Sequence, residues 1–551
     1  MRSNDRSVTD YDVLVIGFGP TGMALSALLG QQGHRVAVIE RYRGLFNLPR
    51  AATFDDDAMR LLQKLGIAES VAVGTRTQRT YDWCNADGDV LIRHEFSDFG
   101  RSGWPEFNMM FQPVLESELD ALCRRTPSID IVRGYAVTEF RQTDGGVEVV
   151  ARTADELGRV VDTPGAQTRS YTARFAVGCD GGNSQIRSGL GISMDDYGFQ
   201  EPWLVCDFRL KRELDLPMAQ QFGDPAQPTS VVSIGPHHHR FSFMLDQAMP
   251  SAADVNVDDV WRRVSPWITP DDAELIRVAP YTFRSTVAQS WNQDNVVLVG
   301  DAAHQMPPFL GQGMCSGFRD AHNLAWKLDL ILNGEYGAEL LDTYAAERSP
   351  HVRAITERAV ELGRLQTIRD ERAAKLRDDE LLRRKRSGER PQGFRFPGYL
   401  DGFLAPASPD DHARGELFPQ GWVTQGSAQP QRFDDVAGRG WVLLVRDADA
   451  LDALDQEDLA RWRSTRGTVV ALSGHVGTGL VTEITDVGGT YERWFADNSC
   501  HAVIVRPDWY VFGSAPDGEA LAQLMSSCVS KPRPRPTVAN AAPTPTPVPA
   551  R

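Results

Sequence analysis

The chain has 551 residues, 42% hydrophobic and 24% charged, with a formal net charge of −16. It is too long for a single core, and its composition is that of a globular protein of several domains. The acidic balance, 74 Asp and Glu against 58 Lys and Arg, argues against nucleic acid as the main partner, because phosphate backbones are bound by clustered cations.

The N-terminal MRSNDRSVTDYD lacks the apolar core of a signal peptide, and no apolar run reaches the ~18 residues of a membrane span. Residues 12–40 read DVLVIG, FGPTGMALSALLGQQG and HRVAVIE: strand, glycine turn, helix, strand. The turn is a GxGxxG in its proper context, which makes it a phosphate site. Gly17 permits the tight turn, Gly19 lets a pyrophosphate reach the backbone, and Gly22 lets helix and strand pack closely. Pro20 and Thr21 open the helix whose N-terminus faces the phosphates. Glu40 ends the second strand, followed by Arg41, and is positioned to accept from a ribose hydroxyl. The site suits FAD or NAD and disfavours NADPH, whose 2′-phosphate Glu40 would repel.

AMRLLQKL at 58–65 has helical spacing. From about 80 to 285 short alternating segments such as VLIRHEF, IDIVRGYAVTEF and GVEVVART predict antiparallel strands. Within this stretch FAVGCDGGNSQIR repeats the pattern of an apolar strand ending on glycine and acid, at Asp180. Taken alone, Asp180 is equally an ordinary turn residue. A third such end, NVVLVGDAAHQMPPFLGQGMCSG, carries Gly300 and Asp301 and then keeps side chains small for a dozen residues. Long helical patterns follow, and the charge-dense 366–392 reads as a solvated helix face or a connection. From about 430, GWVLLVRDADAL, GTVVALSG and CHAVIVRPDWYVFGSA predict strands closed by a helix at GEALAQLMSSCV. The proline-rich end, KPRPRPTVANAAPTPTPVPAR, predicts disorder. Seven scattered cysteines without a CxxC imply neither a disulfide framework nor a zinc site and fit a reducing cytoplasm; Cys500 and Cys528 form no redox motif.

GFGPTG, GCDGGNSQIR and GDAAHQMPPFLGQG, in this order, resemble the fingerprints of the single-component FAD-dependent aromatic hydroxylases, the para-hydroxybenzoate hydroxylase group, over roughly residues 10–360. YxxxxxLPRAATFDDDAMRLLQKLG, WPEFNMMFQPVLESEL and GQGMCSGFRDAHNLAWKL resemble the 3-(3-hydroxyphenyl)propionate 2-hydroxylase branch of that group. The resemblance implies an α/β FAD-binding βαβ domain with an inserted antiparallel-sheet substrate domain and a C-terminal thioredoxin-like domain without a CxxC. The expected boundaries are 1–80 for the first FAD-binding part, 81–285 for mixed FAD- and substrate-binding strands, and 286–395 for the second FAD-binding part with its long helices. A linker at 396–430, the C-terminal domain at 431–530 and a disordered tail at 531–551 complete the chain.

By the same resemblance Asp301 meets the ribityl chain of FAD. The loop Pro307, Pro308, Phe309 to Gly311 and Gly313 passes the flavin ring, and N–H groups at Gly313 and Met314 face its pyrimidine end. A helix N-terminus there would favour an anionic reduced flavin by ~0.3–2 kcal/mol. Arg50 of LPRA and Gln112 of FQPVLESEL match cofactor-contacting positions, and Asp180 with Arg187 matches a stretch touching FAD and a transient nicotinamide nucleotide. The implied reaction takes hydride from NADH or NADPH, adds O2 to form a flavin C4a-hydroperoxide, and hydroxylates a phenolic ring, 3-(3-hydroxyphenyl)propionate-like by the closest motif set. A dry, largely apolar pocket is required. Hydroxylation of a polyketide or substituted phenol is the alternative, and a non-catalytic flavin-binding protein a distant one. The WxWxIP signature of flavin halogenases is absent.

No catalytic base is assigned. Arg240 is a candidate for a substrate carboxylate or else a surface arginine. Phe243, with Phe241 and Met244, is pocket wall or core, and Pro307 and Phe309 are candidate substrate wall. His237, His238 and His239 lack metal-ligand spacing. His304 is expected to pack beneath the flavin loop, and Cys315 to be a small packing residue. The C-terminal domain is expected to be structural or dimerising, the latter in a homodimer.

Overall fold

Runs that are apolar at nearly every position, such as VLVI at 13–16, VAVI at 36–39 and VVL at 296–298, suit strands covered on both faces. In the computed structural model they form the parallel heart of one sheet. Tyr11–Ile16 lies between Val36–Glu40 and Thr168–Gly178, Val296–Leu298 pairs on the far side of Thr168–Gly178, and Ile129–Arg133 on the far side of Val36–Glu40. Gly146–Thr153 and Tyr135–Thr143 extend it antiparallel. The helices Pro20–Gln31 and Gly313–Leu332 bury most of their length against it. The structure describes residues 10–249, 251–389, 395–473 and 481–529, with the backbone of 546–547; the rest of the expected tail lies outside the described residues.

The sequence pattern predicts antiparallel strands throughout 80–285, and here the structure differs. Ile129–Arg133 and Thr168–Gly178 belong to the parallel sheet. IDIVR alternates because it is a parallel strand with one partner only, so part of it stays exposed. Most of the other strands of this stretch, with His304–Gln305, build a second sheet of eight, in the order His304–Gln305, Ala273–Ala288, Met194–Leu210, His238–Met244, Thr229–Ser233, Ala219–Phe222, Thr80–Cys84 and Val90–Glu95. All its pairs are antiparallel except Ala219–Phe222 with Thr80–Cys84. Side chains alternate between its faces. Leu204, Cys206, Phe208, Val231, Phe241 and Phe243 pack with Val260 and Val264 of the helix Val257–Val264. The opposite face carries Trp203, Val205, Val232 and Ser242 and fronts a cavity.

The charge-dense segment is a mostly solvated helix, Glu371–Arg386. Residues 395–421 are irregular yet bury Tyr399, Ala405, Ala413 and Phe418, with Tyr399 stacked on Tyr510 at 3.8 Å. The C-terminal sheet runs Thr482–Glu483, Thr468–Ser473, Val442–Asp447, Ala502–Val505 and Val511–Ala515, parallel in its first three strands and antiparallel in the last two. It is tied to the rest by buried charge. Arg60 donates twice to Asp434 at 2.7 Å, while Arg506, Asp508, Glu347 and Lys327 form a network closed to solvent. Among the described residues no helix is long and apolar enough to cross a membrane.

Candidate active site

Register brings the three glycine-acid turns together. Ile39, Ile16, Gly178 and Leu298 stand side by side across four neighbouring parallel strands, so Glu40, Gly17, Asp180 and Asp301 all emerge at one sheet edge. Open parallel sheets place ligands at this carboxyl edge. A cavity of about 410 Å³ opens there, lined from this side by Gly19, Pro20, Thr21, Gly22, Gly181 and Asp301.

Two glycines of the first turn are required by the protein itself. Gly17 has φ +100°, and a Cβ on it would strike the Cys179 carbonyl; a Cβ on Gly22 would strike that of Gly17. Gly19 is different: nothing lies within 4 Å of where its Cβ would be, and no side chain caps the helix it begins. A bare helix N-terminus behind an open glycine is a fitting cradle for a pyrophosphate. Glu40 accepts from the N–H groups of Phe18 at 2.7 Å and Tyr42 at 2.8 Å, which braces the turn. Arg41 stands apart, beside Gly158 and off the cavity wall.

The second turn is braced internally. Asp180 accepts from Ser184 Oγ at 2.5 Å and from the N–H groups of Gln185 and Ile186 at 2.7 and 3.2 Å, and burial pushes its pKa up. Asp180 itself is thus an end cap, and Gly181 reaches the cavity in its place. Arg187 donates to Ala302 O at 2.8 Å and Gly182 O at 3.0 Å, lacing the second turn to the third. Asp301 keeps surface open to the cavity, yet the protein around it pushes its carboxyl up. Gly300 donates its N–H to Asp320, which also holds His304 at 2.7 Å and Arg348 at 2.8 Å. Burial alone would raise Asp320; the His304 and Arg348 charges outweigh it and hold the carboxyl below the usual range. His304 therefore packs beneath the loop as expected, and Cys315 is buried with its thiol pushed up.

Pro308, Phe309 and Gly311 line the cavity, then Gly313 and Met314 at the start of a helix without a side-chain cap. Pro307 is a correction: it is buried behind the loop and off the wall. Gly311 has φ +66°, and a Cβ there would strike Thr53 Oγ1.

Arg50 and Gln112 also line the cavity. Gln112 Oε1 accepts from the N–H of Arg50 at 3.1 Å and of Ala51 at 2.5 Å, holding the Pro49–Ala51 backbone from one side. The eight-stranded sheet holds it from the other. Arg240 donates to Pro49 O at 3.0 Å and Arg50 O at 2.6 Å, and Arg277 to Pro49 O at 2.6 Å. Between the two arginines lies Asp207, fully buried, 2.6 Å from Arg240 Nε and 3.2 Å from Arg277 Nη1. Arg240 does line the cavity but is no surface residue, and its fork is already engaged by a carboxylate and two carbonyls.

The wall opposite the glycine turns is apolar over Phe107, Met109, Trp203, Val205, Val232 and Phe309. Phe309 meets Trp203 edge-on at 6.1 Å and Phe199 at 5.7 Å, closing that side. Phe243 is a second correction. On His238–Met244 the cavity face belongs to Arg240 and Ser242, so Phe243, one residue on, points into the core behind the sheet. The sequence reading missed Tyr81, Trp203, Gln221, Ser230, Ser242 and Tyr281, all of which line the cavity. Alternation within each strand was legible, but which face meets the cavity was not. His238 stacks on Phe111 at 3.9 Å, His239 is buried, and among the described residues no three His, Cys, Asp or Glu are grouped to hold a metal.

Comparison with known proteins gives the following. The FAD binding domain family matches residues 10–359 and the HcaD C-terminal domain family residues 415–529. The chain is 48% identical over 520 residues to a probable NADH-specific resorcinol 4-hydroxylase of Rhodococcus jostii (strain RHA1), covering 94% of each. It is 33% identical over 535 residues to a 3-(3-hydroxy-phenyl)propionate/3-hydroxycinnamic acid hydroxylase of Mycobacterium avium (strain 104), covering 92% of this chain and 91% of that one. Its fold matches the flavin-dependent monooxygenase PieE with FAD and substrate, at TM-score 0.75 and 22% identity over 95% of this chain and all of the other. It also matches aklavinone-11 hydroxylase with FAD and aklavinone, at TM-score 0.73 and 24% identity over 95% and 99%.

Proposed function

Because this chain belongs to the FAD-dependent aromatic hydroxylases, we propose that it is an NADH-dependent monooxygenase adding one hydroxyl to a small, neutral dihydric phenol of the resorcinol type. The single observation that carries the substrate class is the Arg240–Asp207–Arg277 cluster. The two arginines on the cavity face of the substrate sheet are bound by a buried carboxylate and by loop carbonyls. Apart from Arg284, the other polar side chains this sheet gives the cavity, among them Tyr81, Gln221, Ser230, Ser242 and Tyr281, are neutral. The relative named as a resorcinol hydroxylase supports the same class and the choice of NADH.

Bound FAD would accept hydride from the nicotinamide and activate dioxygen. The chain's residues do the rest. Gly19 and the helix N-terminus at Pro20 would hold the pyrophosphate, Glu40 the adenosine ribose, and Asp301 the ribityl hydroxyls. Gly311, Gly313 and Met314 offer backbone to the flavin ring with no side chain held against it. The clamp of Gln112, Arg240 and Arg277 on the Pro49–Ala51 backbone keeps Arg50 on the cavity wall, where it would meet the flavin. Phe309 with Trp203 and Phe199 excludes water from the substrate side. Tyr81 stays protonated, because burial pushes its hydroxyl up to about 12, so it acts as a hydrogen-bond donor and not as a base. The strand order of the C-terminal unit supports the thioredoxin-like reading, with a structural role.

A second reading, a phenolic acid, is favoured by Arg284, which lines the cavity from an exposed position where a carboxylate could meet it. The deciding experiment follows NADH oxidation and identifies products with resorcinol, phenol and 3-(3-hydroxyphenyl)propionate on the FAD-loaded protein. Resorcinol is expected to accelerate NADH oxidation most and to yield a product one oxygen heavier. Preference for the acid favours the second reading, and no acceleration by any phenol overturns both.

A further inference from the structure

The cavity face of the substrate sheet carries a row of hydroxyl donors with protons not used inside the protein. Gln221 and Ser230 are paired neighbours on adjacent strands, and Ser230 and Ser242 are paired across the next. Tyr81 joins them from the strand beyond. Gln221 Nε2 donates to the Tyr81 oxygen and, at 3.0 Å, to Ser230 Oγ. Both hydroxyls accept in these bonds, so each keeps its own proton to donate. Ser242 makes no side-chain hydrogen bond among the described residues. All four side chains line the cavity, and all but Ser230 are more than nine-tenths buried. Their neighbours Val232, Ala219, Phe107 and Met109 are apolar, and the amide oxygen of Gln221 is itself buried with no hydrogen-bond partner among the described residues. A buried hydroxyl with an unused proton in an apolar setting is costly unless something accepts from it.

We propose that Tyr81, Ser230 and Ser242, with Gln221 fixing the first two, form a subsite for a second, uncharged oxygen substituent on the phenolic ring. The inference rests on the functional reading above and deepens it. The substituent's oxygen has two lone pairs and can accept from two of these three donors at once. A ring lacking that oxygen leaves the donors unpaired, so the subsite selects by the penalty on the analogue as well as by attraction to the substrate. Tyr81 and Ser242 are then specificity-determining residues, acting on binding and orientation and not on the oxygen chemistry.

The test compares Y81F and S242A with wild type on two substrates, resorcinol and phenol, which differ only in the second hydroxyl. Substrate dissociation constants are read from the perturbation of the bound flavin's absorbance, alongside kcat/KM and the fraction of NADH consumption coupled to product. Y81F is expected to lower kcat/KM and affinity for resorcinol ~10- to 100-fold and S242A ~3- to 10-fold, with phenol changed less than ~3-fold in each. Equal losses on both substrates would mean a merely structural role and overturn the subsite, as would no loss on either. S242A decides alone if Y81F does not retain FAD, since it removes only an unpartnered hydroxyl. If the wild type turns over neither resorcinol nor phenol, or prefers the phenolic acid, the functional reading itself fails. If the wild type uses resorcinol and the variants do not discriminate, only the subsite fails.

Discussion

The two walls of the cavity are built by different means. The wall at the parallel sheet's carboxyl edge is made of backbone: glycine turns, bare helix N-termini and N–H groups. The opposite wall is made of side chains, drawn from several strands of the eight-stranded sheet together with Phe107, Met109 and Phe309. The first kind of wall needs particular residues at particular places, because a Cβ either fits or does not. The second needs only that some strand present a suitable side chain at the right height. One wall therefore suits a cofactor common to a whole family, and the other a substrate that varies between its members.

The sharpest way to break that contrast is at Gly19. A Cβ there meets nothing in the protein, so Gly19→Val is expected to fold with an unchanged apo melting temperature and to bind FAD more than ~100-fold more weakly, about 2.7 kcal/mol. Titration of the apoprotein with FAD by flavin fluorescence reads it. Gly17→Val should instead lower the apo melting temperature as well, because φ +100° and the Cys179 carbonyl both oppose a side chain. Equal behaviour of the two variants would show that the turn's glycines serve packing alone.

The substrate side is tested at its charge cluster. Asp207→Ala leaves Arg240 and Arg277 buried without their carboxylate and should cost ~3–5 kcal/mol in denaturant unfolding. A value under about 1 kcal/mol would mean that the loop carbonyls of Pro49 and Arg50 are sufficient partners.

Acid titration separates the core network from the cavity wall. Burial would raise Glu347, Asp508 and Asp320, but neighbouring cations outweigh it and hold all three below their ordinary values. Such groups bind fewer protons folded than unfolded, so their stabilisation is present above the unfolded values near ~4 and is lost as pH falls through the folded ones. The melting temperature should drop on acidification below about pH 4. Glu347→Gln should lower it at pH 7 and flatten the acid limb.

The smallest effect has the opposite sign. Burial raises Asp301, so its charge destabilises the apoprotein at neutral pH, and its favourable contribution appears only below the ordinary carboxylate range. Asp301→Asn should slightly raise the apo melting temperature at pH 7, with no gain at pH 4, while weakening FAD binding. A lower melting temperature at pH 7 would mean that Asp301 is already well paired within the protein.

Much of the backbone wall was legible from residues alone. GFGPTG, GCDGG and GDAAHQMPPFLGQG announce turns that exclude side chains, and it is their resemblance, in this order, to the FAD-dependent hydroxylases that implied the fold class and the cofactor. The parallel sheet follows from runs apolar at nearly every position, since only strands covered on both faces can bury them. The substrate wall was not legible to the same depth. In the sequence Arg240 is a candidate for a substrate carboxylate or else a surface arginine; its partner Asp207 is 33 residues away, so the pairing that neutralises it depends on strand register. Phe243 and Ser242 are adjacent in the chain and lie on opposite faces, and only the docking of the helix Val257–Val264 decides which face is core. Tyr81 and Gln221 are 140 residues apart and meet only because Thr80–Cys84 joins the sheet beside Ala219–Phe222. Glycine carries its constraint within its own backbone, whereas a polar side chain acquires its role from whatever the folded sheet brings beside it.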